Sequence, residues 1–189
     1  MLVTELPIQG LLLDVIAILD RRGVPYAVMG GFAVRTWGVP RPTYDADLAV
    51  AIEEDALPAL LAALSAGGFD VPREHTKGFV DVVAGLGKVK VTRLVGRSAW
   101  EVDLFLARGP FLETAMQRRC AVSMAGRPMW VLAAEDLILL KLLAFRRKDQ
   151  LDVEEILKIS PDVDREHLQR WAAHLGVAER LAEFLRPEG

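Results

Sequence analysis

Apolar residues recur along the chain with two different periods, and each period predicts a different element. Residues 8–22 place apolar side chains three and four positions apart, which is the spacing of a helix. The run "PYAVMG" has the short apolar pattern of a strand, and "YDADLAVAI" alternates as the next strand. Between these strands, "FAVRTWG" is long enough for about two helical turns, and residues 54–66 predict a further helix. The front of the chain is therefore predicted to alternate helices with strands.

Between residues 69 and 107 the pattern changes to that of β-structure. Short alternating runs separated by glycines predict three strands, in "FVDVVAG", "KVKVTRLVG" and "AWEVDLFLA".

Helices predominate after residue 107. "GPFLETAMQRR" predicts a helix with Pro110 in its first turn, and "CAVSMAGRPMWVL" predicts a hairpin that turns at Gly126 and Arg127. The pattern indicates an α/β front part and a helical tail that meet near Ala133. Helices are predicted in the tail over residues 134–147, 150–159, 164–175 and 178–185.

Composition narrows the class of protein. The chain has 189 residues, of which 52% are hydrophobic and 26% are charged, with a net charge of −3. One domain, with or without a small helical appendage, accounts for this length. No run approaches the roughly 20 apolar residues of a membrane span, and no targeting pattern precedes the first helix, so we predict a cytoplasmic protein without a membrane partner. The single Cys120 excludes an internal disulfide and predicts a packed thiol.

Two aspartates stand two apart in a predicted strand, so Asp45 and Asp47 lie on the same strand face. Carboxylates are the ligands that Mg²⁺ prefers, although such pairs are also common on exposed strands. Gly30 and Gly31 come between a strand and a short helix, where backbone N–H groups can approach an anion. By itself a glycine pair is more often an ordinary tight turn.

A third aspartate, Asp103, interrupts the apolar run "WEVDLFLA". A buried carboxylate needs a partner, so Asp103 is expected either at a strand end in solvent or against a cation. If this strand lies beside the strand of Asp45, three carboxylates converge, as a two-metal site requires. Glu101 shares the face of Asp103, and we expect it at a solvated rim.

These motifs resemble the signature of the nucleotidyltransferase superfamily. "GGFAVRTWGVPRPTYDADLAV" is similar to its glycine pair and acidic strand, and "EVDLFLA" is similar to its third acidic strand. "AAEDLILLKLLAFRRKDQLDVEEIL" resembles the helical segment of the small branch that contains AbiEii-like toxins and MNT-type antitoxins. The resemblance extends from Tyr26 to Leu157.

The resemblance implies a mixed β-sheet and an enzyme of the nucleotidyltransferase class (EC 2.7.7 type), which moves a nucleoside monophosphate from an NTP such as ATP and releases pyrophosphate. At matching positions, Gly30 and Gly31 would cradle the triphosphate, Asp45 and Asp47 would hold Mg²⁺, and Asp103 would complete the metal site and help to deprotonate the acceptor. Gly31 stands where many members have serine, so backbone donors would replace a hydroxyl there.

The resemblance also assigns a catalytic α/β core to residues 1–132 and a packed helical segment to residues 133–189. It makes Arg41 and Thr43 candidate nucleotide contacts, although a loop arginine is equally expected in solvent. Lys141 interrupts an apolar helix, where it must either reach solvent or meet an anion. The resemblance favours contact between Lys141 and the triphosphate.

Other polar residues of the sequence have simpler interpretations. Asp149 and Asp152 are favoured as capping residues in an acidic first helical turn over direct catalysis. The basic run 146–148 is typical of a solvated helix end, with an RNA or partner contact as the alternative. The histidines are predicted to be surface or partly packed residues, at His75, His167 and His174.

The acceptor hydroxyl stays open on sequence grounds. It belongs to a partner protein, to tRNA or to a hydroxylated small molecule, and the even charge argues mildly against RNA. A toxin–antitoxin role would add a protein partner, and the helical tail would also suit a homodimer. The alternative from another class is a non-catalytic module of the same fold that binds nucleotide or docks a partner.

Overall fold

A mixed sheet of seven strands forms the centre of the chain in the computed structural model, which describes residues 7–76, 80–83, 85–124 and 126–186. The strand order is β3-β4-β5-β2-β1-β7-β6. The strands are β1 (Tyr26–Met29), β2 (Asp45–Val50), β3 (Asp81–Val83), β4 (Leu86–Val95), β5 (Ser98–Leu106), β6 (Cys120–Met124) and β7 (Arg127–Val131).

Helices flank this sheet, as the predicted α/β fold class requires, so that prediction is confirmed. Helix α1 contacts β2 and β5, whereas α2 contacts β1, β2 and the two helices that directly follow the last strand. The described helices are α1 (Pro7–Arg21), α2 (Gly30–Trp37), α3 (Leu57–Ala66), α4 (Arg73–Thr76), α5 (Pro110–Arg118), α6 (Ala134–Ala144), α7 (Arg147–Ile159), α8 (Arg165–His174) and α9 (Ala178–Leu185).

Two of the strand pairings in the sheet are parallel. β2 pairs with β5 in parallel, and β1 pairs with β7 in parallel, while the remaining neighbours are antiparallel. The central strand β2 buries Ala46, Leu48 and Val50 completely. Its aspartates alternate with these apolar residues, so the opposite face carries the polar groups.

The predicted strand and hairpin runs contain residues outside the described part. Phe79 and Ala84 of the run "FVDVVAG" lie outside it, and the rest of that run contains β3. Ala125 of the predicted hairpin also lies outside it, while Arg127, predicted in the turn, begins β7.

The break within the helical tail comes earlier than the apolar pattern predicts. Helix α6 ends at Ala144 because Phe145 adopts a left-handed conformation with φ of 49°, and α7 begins at Arg147. The carboxylate of Asp149 accepts a hydrogen bond from the backbone N–H of Arg146 at 3.2 Å. This cap fixes the start of α7 three residues before the predicted position.

Candidate active site

The register between β2 and β5 brings the predicted carboxylates together. Asp47 is directly beside Asp103, and Asp45 is directly beside Glu101. Partners in register point to the same sheet face. Three aspartates therefore share one face, and Glu101, which is half exposed, lies at the rim as expected.

The glycine pair lies against this acidic face. Gly30 has φ of +62°, and a Cβ added to it would lie 2.7 Å from Cγ of Asp47. A Cβ added to Gly31 would lie 2.5 Å from the hydroxyl of Thr43 and 2.9 Å from its Cβ. The two glycines therefore leave the room that Asp47 and Thr43 occupy.

Thr43 is buried beside Asp45. Its hydroxyl donates a hydrogen bond to Oδ1 of Asp45 at 3.0 Å and lies 3.2 Å from the Asp45 carbonyl oxygen. The structure thus places Thr43 where it orients the Asp45 carboxylate. The hydroxyl lies in the space that a side chain at Gly31 would need.

Lys88 is a site residue that the sequence analysis missed. Its ammonium lies 2.8 Å from Oδ2 of Asp103, and both side chains are largely buried. The other oxygen of Asp103, Oδ1, is buried and makes no hydrogen bond among the described residues. The alternation of "KVKVTRLVG" puts Lys88 on one strand face, but only the register of β4 against β5 shows that this face is the acidic one.

A second cluster joins the loop before β2 to the helical tail. Asp152 accepts two hydrogen bonds from the guanidinium of Arg41, each at 2.8 Å. The ammonium of Lys141 donates to Asp152 at 2.7 Å and to Asp149 at 3.1 Å. Arg146 pairs with Asp149 at 2.6 Å. Asp149 therefore caps α7, as predicted, whereas the same prediction for Asp152 is wrong because α7 begins at Arg147 and Asp152 lies beyond its first turn. Both aspartates pair with cations.

Electrostatics differ sharply between the two groups of carboxylates. Burial, together with repulsion from Asp45 and Asp103, raises the pKa of Asp47 to about 6. Burial also opposes ionisation of Asp149 and Asp152, but hydrogen bonds from the neighbouring cations outweigh it and hold both pKa values below the usual range. On the acidic face Lys88 pairs with Asp103 alone, whereas three cations pair with the two aspartates of the second cluster.

The two clusters face each other across one cleft of about 420 Å³. Polar groups from Gly30, Asp47, Asp103 and Lys141 line it, with Lys148 at its exposed edge. Apolar side chains form the remaining wall, at Leu86, Phe105, Leu137, Leu140 and Leu143. The cleft can therefore take a ligand with a strongly anionic part and an apolar or aromatic part.

Two histidine predictions are wrong. His75 and His167 are buried, at 4% and 2% exposure, because each has a polar partner inside the fold. His167 Nε2 lies 2.7 Å from Oδ1 of Asp136, which is fully buried. His174 is exposed, as predicted. Cys120 is partly buried, and burial raises the pKa of its thiol.

No known family model and no curated protein matches this sequence. Solved structures do resemble the fold. The crystal structure of ANT(2'')-Ia in complex with adenylyl-2''-tobramycin aligns with a TM-score of 0.57 at 18% identity, covering 88% of this chain and 95% of that one. The solution structure of ANT(2'')-Ia aligns with a TM-score of 0.58 at 16% identity, covering 92% and 96%.

A third similar structure is the lincosamide antibiotic adenylyltransferase LnuA with lincomycin bound. It has a TM-score of 0.53 and 13% identity, and the alignment covers 79% of this chain and 96% of LnuA. The chain has a nucleotidyltransferase-like fold. In the part of the chain that the structure describes, none of the helices combines the length and the apolar character of a membrane span.

The carboxylate oxygens on the acidic face suit a hard divalent cation. Asp45 and Asp47 present carboxylate oxygens on one face, and Oδ1 of Asp103 is buried without a hydrogen-bond partner in the described part of the chain. Within that same part, no three His, Cys, Asp or Glu side chains form a closed ligand set. Mg²⁺ commonly uses one or two carboxylates together with substrate phosphates, so Asp45 and Asp47 fit that role.

Proposed function

We propose that the chain is a Mg²⁺-dependent nucleotidyltransferase that moves a nucleoside monophosphate from an NTP to a hydroxyl acceptor. The observation that carries this proposal is the register of β2 against β5, which sets Asp47 beside Asp103 on one face. The glycine turn at Gly30 borders the same face, and Lys141 lines the same cleft. The cleft therefore contains groups that suit anionic phosphates, a metal and an acceptor hydroxyl.

The reaction proceeds by in-line displacement at the α-phosphorus. The acceptor oxygen forms a bond to this phosphorus, and the bond to the bridging oxygen of the β-phosphate breaks, so that pyrophosphate leaves with the electron pair. The Asp103 carboxylate, whose Oδ2 pairs with Lys88, would receive the acceptor proton. Asp45 and Asp47 would hold Mg²⁺, whose contribution when bound is to offset the charge of the phosphates.

Cations at the other side of the cleft bind the triphosphate. Asp152 pairs with both Arg41 and Lys141, so their positive groups are held at the cleft before a nucleotide binds. Arg146 is held in the same way by Asp149. Backbone N–H groups at Gly30 and Gly31, at the start of α2, complete the phosphate end.

The acceptor is an open choice within this proposal. Fold likeness to ANT(2'')-Ia and LnuA supports a hydroxylated small molecule such as an antibiotic. The resemblance to the AbiEii and MNT branch supports a protein or tRNA acceptor in a toxin–antitoxin pair, and the exposed basic run 146–148 at the cleft edge is compatible with either. A partner or second copy bound to the helical tail would accompany the protein route.

A transfer assay tests the proposal. The protein is incubated with each α-labelled NTP, Mg²⁺ and a panel of small hydroxylated compounds, tRNA and proteins, including the chain itself. Mass spectrometry then searches for an added nucleoside monophosphate. The wild type should transfer label, and Asp45→Ala and Asp47→Asn should abolish transfer. Transfer that persists in both variants would sink the proposal, and nucleotide binding without transfer to any acceptor would favour the non-catalytic module.

A further inference from the structure

Lys88 lies on the acidic face although none of the three motifs quoted above for the family resemblance contains it. In the antiparallel pair of β4 and β5, Lys88 is directly opposite Phe105, and Lys90 is directly opposite Asp103. Both lysines share a strand face with the carboxylates. Each reaches diagonally, so that Lys88 pairs with Asp103 at 2.8 Å and Lys90 pairs with Glu101 at 2.5 Å.

The two diagonal pairs differ in where they lie. The side chains of Lys88 and Asp103 are 13% and 15% exposed, and both residues line the cleft. The side chains of Lys90 and Glu101 are 33% and 48% exposed, at the rim. The Lys88 ammonium also lies 6.0 Å from the centre of the Phe105 ring, so an apolar wall limits its hydration. Lys88 is therefore a fixed cation inside the site.

The charges of the acidic face suggest what this cation does. When ionised, Asp45, Asp47 and Asp103 carry three negative charges, and the ammonium of Lys88 offsets one of them. One divalent cation offsets the other two. A second divalent cation on Asp103 would have to lie beside an ammonium that already binds the same carboxylate, and like charges at that separation repel strongly in a partly buried site.

We propose that Lys88 takes the place of a second metal ion. The chain then binds one divalent cation with its nucleotide, on Asp45 and Asp47, and Lys88 holds the third carboxylate through Oδ2. This replaces the two-metal arrangement that three converging carboxylates suggest. The inference rests on the proposed function, because it concerns the metal and nucleotide of that same site.

The number of bound metal ions tests this inference without turnover. The probe is Mn²⁺, titrated in the presence of non-hydrolysable α,β-methylene analogues of each NTP, and electron paramagnetic resonance counts the free ion. The wild type should bind one Mn²⁺ per chain. Lys88→Met keeps the length of the side chain and removes its charge, so it should bind two. Lys88→Arg should remain at one, because it restores the positive charge.

Lys90→Met is the matched control. It removes the same charge two residues along the same strand face but outside the cleft, so it should remain at one Mn²⁺. Two ions in the wild type would overturn the inference, since Lys88 would then move aside for the second metal. A single ion in Lys88→Met would overturn it as well. If neither Mn²⁺ nor any analogue binds the wild type, the proposed function fails together with the inference, whereas a count of two leaves that function standing.

Discussion

Gly30 lies so close to the carboxylate of Asp47 that no side chain fits between them. An added Cβ would lie 2.7 Å from Cγ of Asp47, and the backbone at Gly30 has φ of +62°. The close approach to Asp47 concerns the site, whereas the left-handed φ concerns the backbone. The two effects can be separated, because Gly23 has a left-handed φ but no close neighbour.

Gly30→Ala is expected to unfold more easily than the wild type and to lose transfer activity. The left-handed backbone alone costs about 1–2 kcal/mol for a residue with a Cβ. The overlap with Asp47 adds to this and displaces a proposed metal ligand. Urea unfolding and the transfer assay measure the two consequences.

Gly23→Ala is the control for Gly30→Ala. Gly23 has φ of +64°, and an added Cβ meets nothing within 4 Å. It should lose stability from backbone strain alone and keep its activity once folded. Wild-type activity in Gly30→Ala would show that Asp47 tolerates displacement and would contradict the role given to it.

Asp47→Asn is expected to stabilise the metal-free protein at pH 8 while it abolishes transfer. The folded pKa of Asp47, about 6, exceeds its usual value of 3.8, so the folded state binds the proton more tightly than the unfolded state. This contribution is fully present below pH 4 and is lost as the pH rises through about 6. A shift of that size corresponds to about 3 kcal/mol.

The measurement is the free energy of unfolding in chelator between pH 4 and pH 8. The stability of the wild type should fall relative to that of Asp47→Asn across this range. Asp55→Asn removes one negative charge at an exposed position and serves as the control. If Asp47→Asn is less stable than the wild type at pH 8 without metal, a partner stabilises the ionised carboxylate and its pKa is not raised.

Asp152→Asn is expected to weaken both the fold and nucleotide binding. Removal of one partner from a buried charge pair costs about 3–5 kcal/mol, and Asp152 holds two cations at once. Because Arg41 and Lys141 would lose their fixed positions, KM for the NTP should rise more than kcat falls. Unfolding and steady-state kinetics measure these effects.

Glu154→Gln makes the same chemical change on the exposed face of α7. It should leave stability and KM within experimental error of the wild type. An unchanged KM in Asp152→Asn would mean that Arg41 and Lys141 do not contact the nucleotide.

His167→Ala is expected to destabilise the chain without changing the chemistry of the cleft. His167 lies 2.7 Å from the buried carboxylate of Asp136, which also accepts a hydrogen bond from Arg118 at 3.3 Å. An unsatisfied buried polar group costs about 1–3 kcal/mol. Thermal unfolding should show the loss, while kcat of the folded fraction stays unchanged.

His174→Ala, an exposed position in the same helix, should have a much smaller effect on thermal unfolding. A loss of kcat in folded His167→Ala would instead connect this buried pair to the active site.

The acidic face could be predicted because it depends on local spacing. The alternation of β2 puts Asp45 and Asp47 on one face wherever the strand lies in the sheet. Lys88 could not be found in this way, because its pairing with Asp103 depends on the register of a hairpin, and register is set by packing along the whole strand. The role of Lys141 could be predicted only in part. The sequence shows that it must reach solvent or meet an anion, but its partners lie beyond a helix break at Phe145 that no glycine or proline marks.

Asp152 lies 111 residues from Arg41 along the chain, and one carboxylate holds that arginine together with Lys141. If Arg41 and Lys141 bind phosphates as proposed, docking of α7 is coupled to nucleotide binding, and each changes the free energy of the other by the same amount. A saturating nucleotide should slow hydrogen exchange at the backbone amides of α7, although these amides lie outside the sheet that carries the carboxylates. Helix α7 should thus report what the cleft contains.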